Sequence, residues 1–300
     1  MTQQRKQRAD IHGWVVLDKP VGMTSTHAVS AVRRMLNAKK AGHAGTLDPL
    51  ASGLLPLAFG EGTKTVPYVV DGEKAYAFTV TFGVETDTDD AEGRIVAKSE
   101  ARPSEAAIVA ALPHFTGQVT QVPPRYSAIK VDGERAYDLA RGGETVELEA
   151  RTVEIHALRM VDFDGQSAKL EAECGKGTYV RAIARDLGRL LGCYGYVSAL
   201  RRTRVGPFTE ADSVTFASLE ADPQAVLSAL RPVETGLLEL PAVVITRDAA
   251  LRLKRGQSAI LRGREAPAEG EQAYAVSEGT VIAIGTVEHG ALVPTRVFNL

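Results

Sequence analysis

Cysteine is scarce: only Cys174 and Cys193 occur in 300 residues, at no C-x-x-C spacing. That excludes a disulfide framework and points to a reducing compartment. Long hydrophobic runs are missing too. None approaches the length of a membrane span, and the opening "MTQQRKQRAD" is polar and basic with no apolar stretch behind it. A cytoplasmic protein that does not enter a membrane is therefore expected. No G-x-x-x-x-G-K-[ST] is present, so "GEGTK" and "CGKGT" are not P-loops, and no G-x-G-x-x-G opens a helix after a strand. The six histidines include no H-x-x-x-H pair, which leaves zinc catalysis without a ligand set. G-x-S-x-G is absent as well. Nor is there an excess of one charge: the net value is −2. A nucleic-acid partner would have to be met by local positive charge.

What remains is an ordinary globular composition, 44% hydrophobic and 24% charged, enough for one large domain or two modest ones. Residues 1–10 read as a disordered polar tail. A short strand follows at Trp14 to Leu17, then a Pro-Gly turn, then a helix capped by Ser25 or Thr26 with Val29, Val32 and Leu36 on one face. In "AYAFTVTFG", Tyr76, Phe78, Val80 and Phe82 alternate with small residues, which predicts a strand with its aromatics on one side. The acidic "ETDTDDAEG" has a superficial likeness to a calcium loop. Glu92 stands where the sixth-position glycine is needed and Lys98 where the bidentate acid belongs, so the metal reading fails. Ser104 caps a helix over "EAAIVAAL", and Asp132-Gly133 and Asp164-Gly165 are hairpin signals.

The clearest helix is "TYVRAIARDLGRLLG". Val180, Ile183, Ala184, Leu187, Leu190 and Leu191 form an apolar stripe, Arg181 lies at its border, Arg189 points away, and Gly192 sits at the C-cap. From Pro241 onward, short strands and turns suggest a small β-rich module. Strands and helices mix without a βαβ rhythm, which favours an α+β fold.

Two stretches carry chemistry. Between Gly175 and Val205 there are seven basic residues, Lys176, Arg181, Arg185, Arg189, Arg201, Arg202 and Arg204, against one acid, Asp186. A solvated helix face is the bland account; a phosphate-contacting surface is the functional one, favoured by "LRRTRVG". The second stretch is "GHAGTLDPLASGLLPLAFGEGTK", Gly42 to Lys64, where one acid, Asp48, stands among glycines and apolar residues. Asp-Pro alone is a turn opener. A carboxylate fixed between apolar walls also suits a nucleophile, provided a cation keeps it ionised.

This segment resembles the catalytic segment of bacterial tRNA pseudouridine synthases of the TruB type. "LDKPVGMTSTHAV", "GEKAYAFTVTFGVETDTDDAEG", "GQVTQVPPRYSAIKVDGERAYDLARGG", "CGKGTYVRAIARDLGRLLG" and "LRRTRVGPF" are similar to further family segments, so the likeness runs from about Gly13 to Phe208. Ser52 departs from the threonine common there, one small hydroxyl for another. The resemblance implies an α+β fold of pseudouridine-synthase type, with a mixed, largely antiparallel sheet flanked by helices. It implies a catalytic domain at 11–240, an RNA-gripping insertion at about 123–151, and a PUA-like RNA-binding domain at 241–300.

By the same resemblance, uridine 55 in the T-loop of tRNA is isomerised to pseudouridine by a cytoplasmic monomer, with no cofactor and no metal. Asp48 would be the nucleophile, at C6 of uracil or C1′ of ribose, with Arg181 as its ion-pair partner and Tyr76 stacked on the base. Tyr179 and Leu200 would line the uracil pocket, His43 would touch RNA near the extruded base, and Lys19 and Lys64 would support pocket and loop. Competing readings are a non-catalytic RNA binder or tRNA-folding chaperone, and a synthase working on another RNA or in a guide complex. Intact Asp48, Tyr76 and Arg181 favour the enzyme, and the lack of long basic tails favours a tRNA enzyme acting alone.

Overall fold

A computed structural model describes residues 7–127, 130–131, 134–135, 148–222, 224–261 and 266–300. Asp132-Gly133 and most of the insertion expected at 123–151 lie outside the described residues, as do residues 1–6 of the expected tail. Of the rest of that tail, Ala9 is not loose: its amide donates to the Asn37 carbonyl at 2.8 Å, and Asp10 pairs with Lys39 at 2.7 Å.

The strands are β1 (Gly13–Lys19), β2 (Ala41–His43), β3 (Ser52–Phe59), β4 (Lys74–Phe82), β5 (Val84–Thr86), β6 (Ile95–Lys98) and β7 (Gly117–Gln121). They continue with β8 (Lys130–Val131), β9 (Glu134–Arg135), β10 (Arg151–Phe163), β11 (Ser167–Cys174), β12 (Gly195–Val205), β13 (Phe208–Thr209) and β14 (Val214–Thr215). Ten of these form one sheet whose path is β14-β1-β3-β12-β4-β11-β10-β7, with β2 on β3 and β13 on β12. Only the β1–β14 and β3–β12 pairs are parallel, so the sheet is mixed and largely antiparallel, as expected. In β4 the alternation holds: Phe78, Val80 and Phe82 are buried on the face that also carries Tyr76.

Helix α1 (Ser25–Met35) begins one residue earlier than its sequence suggests. Thr24 is the N-cap, its hydroxyl accepting from the His27 amide. Ser25, expected as a cap, is instead the first helical residue, because its hydroxyl is taken by both backbone groups of Leu47. After the short α2 (Val66–Asp71), Ser104 caps α3 (Glu105–Ala111) as expected. Asp164 accepts from the Gln166 and Ser167 amides in the β10–β11 hairpin.

Helix α4 (Val180–Leu190) buries Val180, Ile183, Ala184 and Leu187 against the sheet, and Gly192 follows its end at φ +69°. Leu190, expected in the stripe, is 54% exposed. It is the last residue of the helix, seven positions beyond the buried Ile183. A second, five-stranded sheet runs from Ala242 to Val297, with β15 (Ala242–Val244), β16 (Ala259–Ile260), β17 (Gln272–Ser277), β18 (Thr280–Glu288) and β19 (Ala291–Val297) in the order β15-β17-β18-β19-β16. A helix absent from the sequence reading, Arg247–Lys254, packs on it through Ala250 and Leu253. Among the described residues no helix is long and apolar enough to cross a membrane.

Candidate functional site

The loop from β2 to β3 carries Asp48, and three polar side chains from other elements fix its course. Lys19, fully buried at the end of β1, donates to the carbonyls of Ala51 (2.6 Å), Met23 (2.8 Å) and Pro20 (2.9 Å). Burial lowers its pKa to about 8, although the Asp48 carboxylate pulls upward. Ser25 of α1 holds the amide and the carbonyl of Leu47, each at 2.9 Å. Arg202 of β12, 2% exposed, donates to the carbonyls of Leu54 (2.8 Å), Gly45 (3.1 Å) and Thr46 (3.2 Å). Gly53 makes that approach feasible. Its φ is +98°, and a Cβ there would lie 2.2 Å from the Arg202 carbonyl oxygen.

The loop opens on a cavity of about 280 Å³. Asp48, Tyr76, Tyr179, Arg181 and Leu200 all line it, as do Lys74, Ser127 and Arg202. Arg181, at the first turn of α4, sits 3.0 Å from Asp48 Oδ2 through one terminal nitrogen, which also donates to the Tyr126 carbonyl at 2.8 Å. Its other terminal nitrogen donates to the Thr88 carbonyl (2.9 Å) and to Asp90 (3.3 Å). Arg181 is nearly buried, while Asp48 keeps 35% of its side chain open. Burial raises the Asp90 carboxyl, with Thr88 and Arg181 opposing that rise. Burial likewise holds the Tyr76 phenol above its ordinary value and so neutral, next to the Arg202 guanidinium. The Tyr179 backbone is clamped by Gln121, whose Oε1 accepts from its amide at 3.1 Å.

The remaining residues singled out from the sequence do not line the cavity. Lys19 lies behind the Asp48 loop. His43 is half-buried on β2, facing Leu57 across the ladder. Lys64 is turned toward the C-terminal sheet: it pairs with Glu61 at 2.7 Å, donates to the Val297 carbonyl at 2.8 Å and lies 5.8 Å over the Phe298 ring.

The basic run is paired within the protein. All seven members have internal partners. Lys176 pairs with Asp71, Arg185 with Asp89 and Asp186, Arg189 with Glu85, Arg201 with Asp18 and Glu210, and Arg204 with Glu73. Arg181 and Arg202 are held as described. Three residues the sequence reading passed over thus belong to the site: Arg202, which it counted with the basic run, Asp90 in the rejected metal loop, and Ser25, read as a cap. The density of arginine in "LRRTRVG" and of acid in "DTDD" was the available signal.

Residues 33–180 match the family description "TruB family pseudouridylate synthase (N terminal domain)", and residues 181–238 match "tRNA pseudouridylate synthase B C-terminal domain". Among curated proteins, the tRNA pseudouridine synthase B of Bradyrhizobium diazoefficiens is 58% identical over 99% of this chain and 89% of its own length. That of Brucella ovis is 52% identical over 98% of both chains. Among solved structures, a Cbf5-Nop10-Gar1 complex contains a chain matching 96% of this one and 84% of its own length, at 24% identity and a TM-score of 0.73, a likeness of fold. With both matched segments adjoining at the helix that carries Arg181, and relatives aligned over nearly the full length, the chain belongs to the TruB family of pseudouridylate synthases.

Proposed function

We propose that the cavity receives uridine 55, turned out of the tRNA T-loop, and that Asp48 is the nucleophile that converts it to pseudouridine. The observation that carries this reading is the contact between Asp48 and the nearly buried Arg181 at the mouth of a cavity of about 280 Å³. Leu47, Leu50 and Ala51 flank the carboxylate, and a guanidinium, which keeps its charge, faces it at 3.0 Å. Asp48 attacks C6 of the ring or C1′ of the ribose. Either route breaks the N1–C1′ bond, lets the base turn and forms a C5–C1′ bond; the aspartate is released again, C5 gives up its proton and N1 takes one up, so the product is an isomer and no water is consumed. Tyr76, neutral and at the cavity wall, suits a stacking partner, while Tyr179 and Leu200 enclose the ring. Extruding the base costs roughly a few kcal/mol, which contacts with the rest of the RNA must supply.

His43 would meet RNA beside the extruded base, and Lys19 would act through the loop it supports. Lys64 would act at the junction with the C-terminal sheet. We take 11–240 as the catalytic domain, 123–151 as its RNA-gripping insertion and 241–300 as a PUA-like RNA-binding domain. The separate sheet and buried cluster of Ala273, Ile282 and Leu292 support that division. The enzyme would act as a cytoplasmic monomer. The test incubates unmodified tRNA transcript with wild-type protein and with Asp48→Asn, and reads pseudouridine as carbodiimide-dependent primer-extension stops. A stop at the T-loop uridine with wild type alone is expected. Tight binding with no stop from either protein would refute the assignment.

A further inference from the structure

Three arginines on α4, Arg181, Arg185 and Arg189, are spaced four apart and so share one face of the helix. Each meets an acid from a single short segment running the other way: Asp90 at 3.3 Å, Asp89 at 3.1 Å and Glu85 at 2.7 Å. In the outer pair Arg189 is half exposed and Glu85 nearly buried. The middle pair is buried on both sides. The inner two arginines also grip the chain that leaves β7 toward the insertion. Arg185 donates to the Val122 carbonyl at 2.8 Å, and Arg181 to the Tyr126 carbonyl at 2.8 Å.

Asp89 itself holds a left-handed backbone, φ +61°, a conformation that a non-glycine residue keeps only when its surroundings impose it. Its amide reaches the Thr86 carbonyl, and its carbonyl accepts from Val197 of β12. The next residue is Asp90. A buried Arg–Asp pair adds little to stability compared with apolar packing of the same volume, so its effect is better sought in what it orders.

We propose that Arg185 is a positioning residue for the reaction: by holding Asp89 and the Val122 carbonyl, it places Asp90 and the Tyr126 carbonyl where they orient Arg181 on Asp48. This rests on Asp48 being the nucleophile. Arg185 touches neither Asp48 nor the cavity; it acts one helical turn behind Arg181 on the same two backbone segments. Losing it lets the acid segment and the insertion stem relax together, and Arg181 shifts from its single contact with the carboxylate. A misplacement of about 1 Å at a reacting group costs on the order of a hundredfold in rate.

The experiment measures single-turnover pseudouridine formation on a tRNA transcript, with RNA affinity measured separately by filter binding. Arg185→Gln is expected to lower the rate at saturating RNA by about tenfold to a hundredfold, with the Kd for RNA changed by less than about threefold. Arg185→Lys, which keeps the charge but cannot bridge Asp89 and Val122 together, is expected to recover part of that rate. Arg189→Gln, at the outer pair, touches neither Asp90 nor the insertion stem; its rate at saturating RNA is expected to stay within about twofold of wild type, while loss of the partner of the nearly buried Glu85 lowers Tm. A rate for Arg185→Gln within twofold of wild type, with only Tm lowered, would overturn the proposal, as would a loss confined to RNA affinity. Should Arg185→Gln not fold, Asp89→Asn and Arg185→Lys carry the test, and an unchanged rate in both would overturn it equally. An active Asp48→Asn would instead remove the nucleophile reading, so the two failures are separable.

Discussion

Replacing Arg202 by methionine keeps the volume and apolar stem of a buried side chain and deletes only the guanidinium. That group serves the carbonyls of Leu54, Thr46 and Gly45 at 2.8, 3.2 and 3.1 Å. Hydrogen bonds from a charged donor contribute about 1.5–3 kcal/mol each, so the gross loss is about 5–9 kcal/mol. Two terms reduce it. The guanidinium no longer has to be desolvated, which returns several kcal/mol. Water in the adjoining cavity can also reach Gly45 and Thr46, which line it. Leu54 is fully buried and its carbonyl is left without that donor. A net destabilisation of about 3 kcal/mol follows, equivalent to a fall in Tm of about 5 °C for a chain of this size. Thermal unfolding followed by circular dichroism reads that term. The catalytic term is read at 20 °C, where the variant remains folded: with Gly45 and Thr46 released, the Asp48 loop loses its register against β12, and the single-turnover rate on tRNA should fall at least about tenfold. A Tm within 2 °C of wild type would refute the bonding argument. A lowered Tm with an unchanged rate would refute the claim that Arg202 orders the loop.

Ser25→Ala removes the one side chain that satisfies both backbone groups of Leu47. A loss of about 1–3 kcal/mol in urea unfolding and a fall in kcat with little change in KM are expected; a change in KM alone would contradict it. Gly53→Ala should not accumulate as folded protein, because a Cβ at φ +98° would press the Arg202 backbone from 2.2 Å and part β3 from β12; soluble variant with normal Tm would show that these strands can separate freely. Lys19 gives a pH signature. Its folded pKa, lowered by burial to about 8, lies below the ordinary lysine value. The folded chain therefore binds fewer protons than the unfolded one between pH 8 and 10.5, and stability gains with pH across that window. Below about 8 this contribution is flat. Urea unfolding of wild type relative to Lys19→Met should show the difference growing in favour of wild type from pH 8 to 10, and the opposite slope would refute a buried, charged Lys19.

What could be read from the sequence follows from the range over which each signal acts. The β4 alternation, the α4 stripe through Leu187, the Ser104 cap and the Asp164-Gly165 turn are settled by neighbours a few residues away, and the structure has all of them. The cap of α1 was misplaced because Ser25 binds Leu47, 22 residues distant, and nothing local reveals that competitor. The helix at Arg247–Lys254 escaped because only Ala250 and Leu253 are buried in it, too few to make a stripe. The pairing of the basic run could not be read locally because most of its acids, Asp18, Asp71, Glu73, Glu85, Asp89 and Asp90, lie about a hundred residues or more upstream. Charge counted in a window cannot see partners supplied by another strand. The family likeness brought Asp48, Tyr76 and Arg181 into view. It did not bring out the groups that hold them.

Those groups share one property that bears on the chemistry. Lys19 and Arg202, two cations close behind the Asp48 loop, direct their hydrogen bonds to backbone carbonyls and none to the carboxylate. Arg181 meets Asp48 through a single nitrogen, while its other terminal nitrogen is engaged by Thr88 and Asp90. A two-pronged guanidinium clamp would be the stronger ion pair. It would also occupy both oxygens and reduce their reactivity. Holding Arg181 from behind, with Asp90 and two carbonyls, makes the contact one-pronged by construction. For the nucleophile proposed above, that division supplies charge from several sides and limits contact to one. The acid segment 85–90 is therefore as much a part of the site as the loop that bears Asp48.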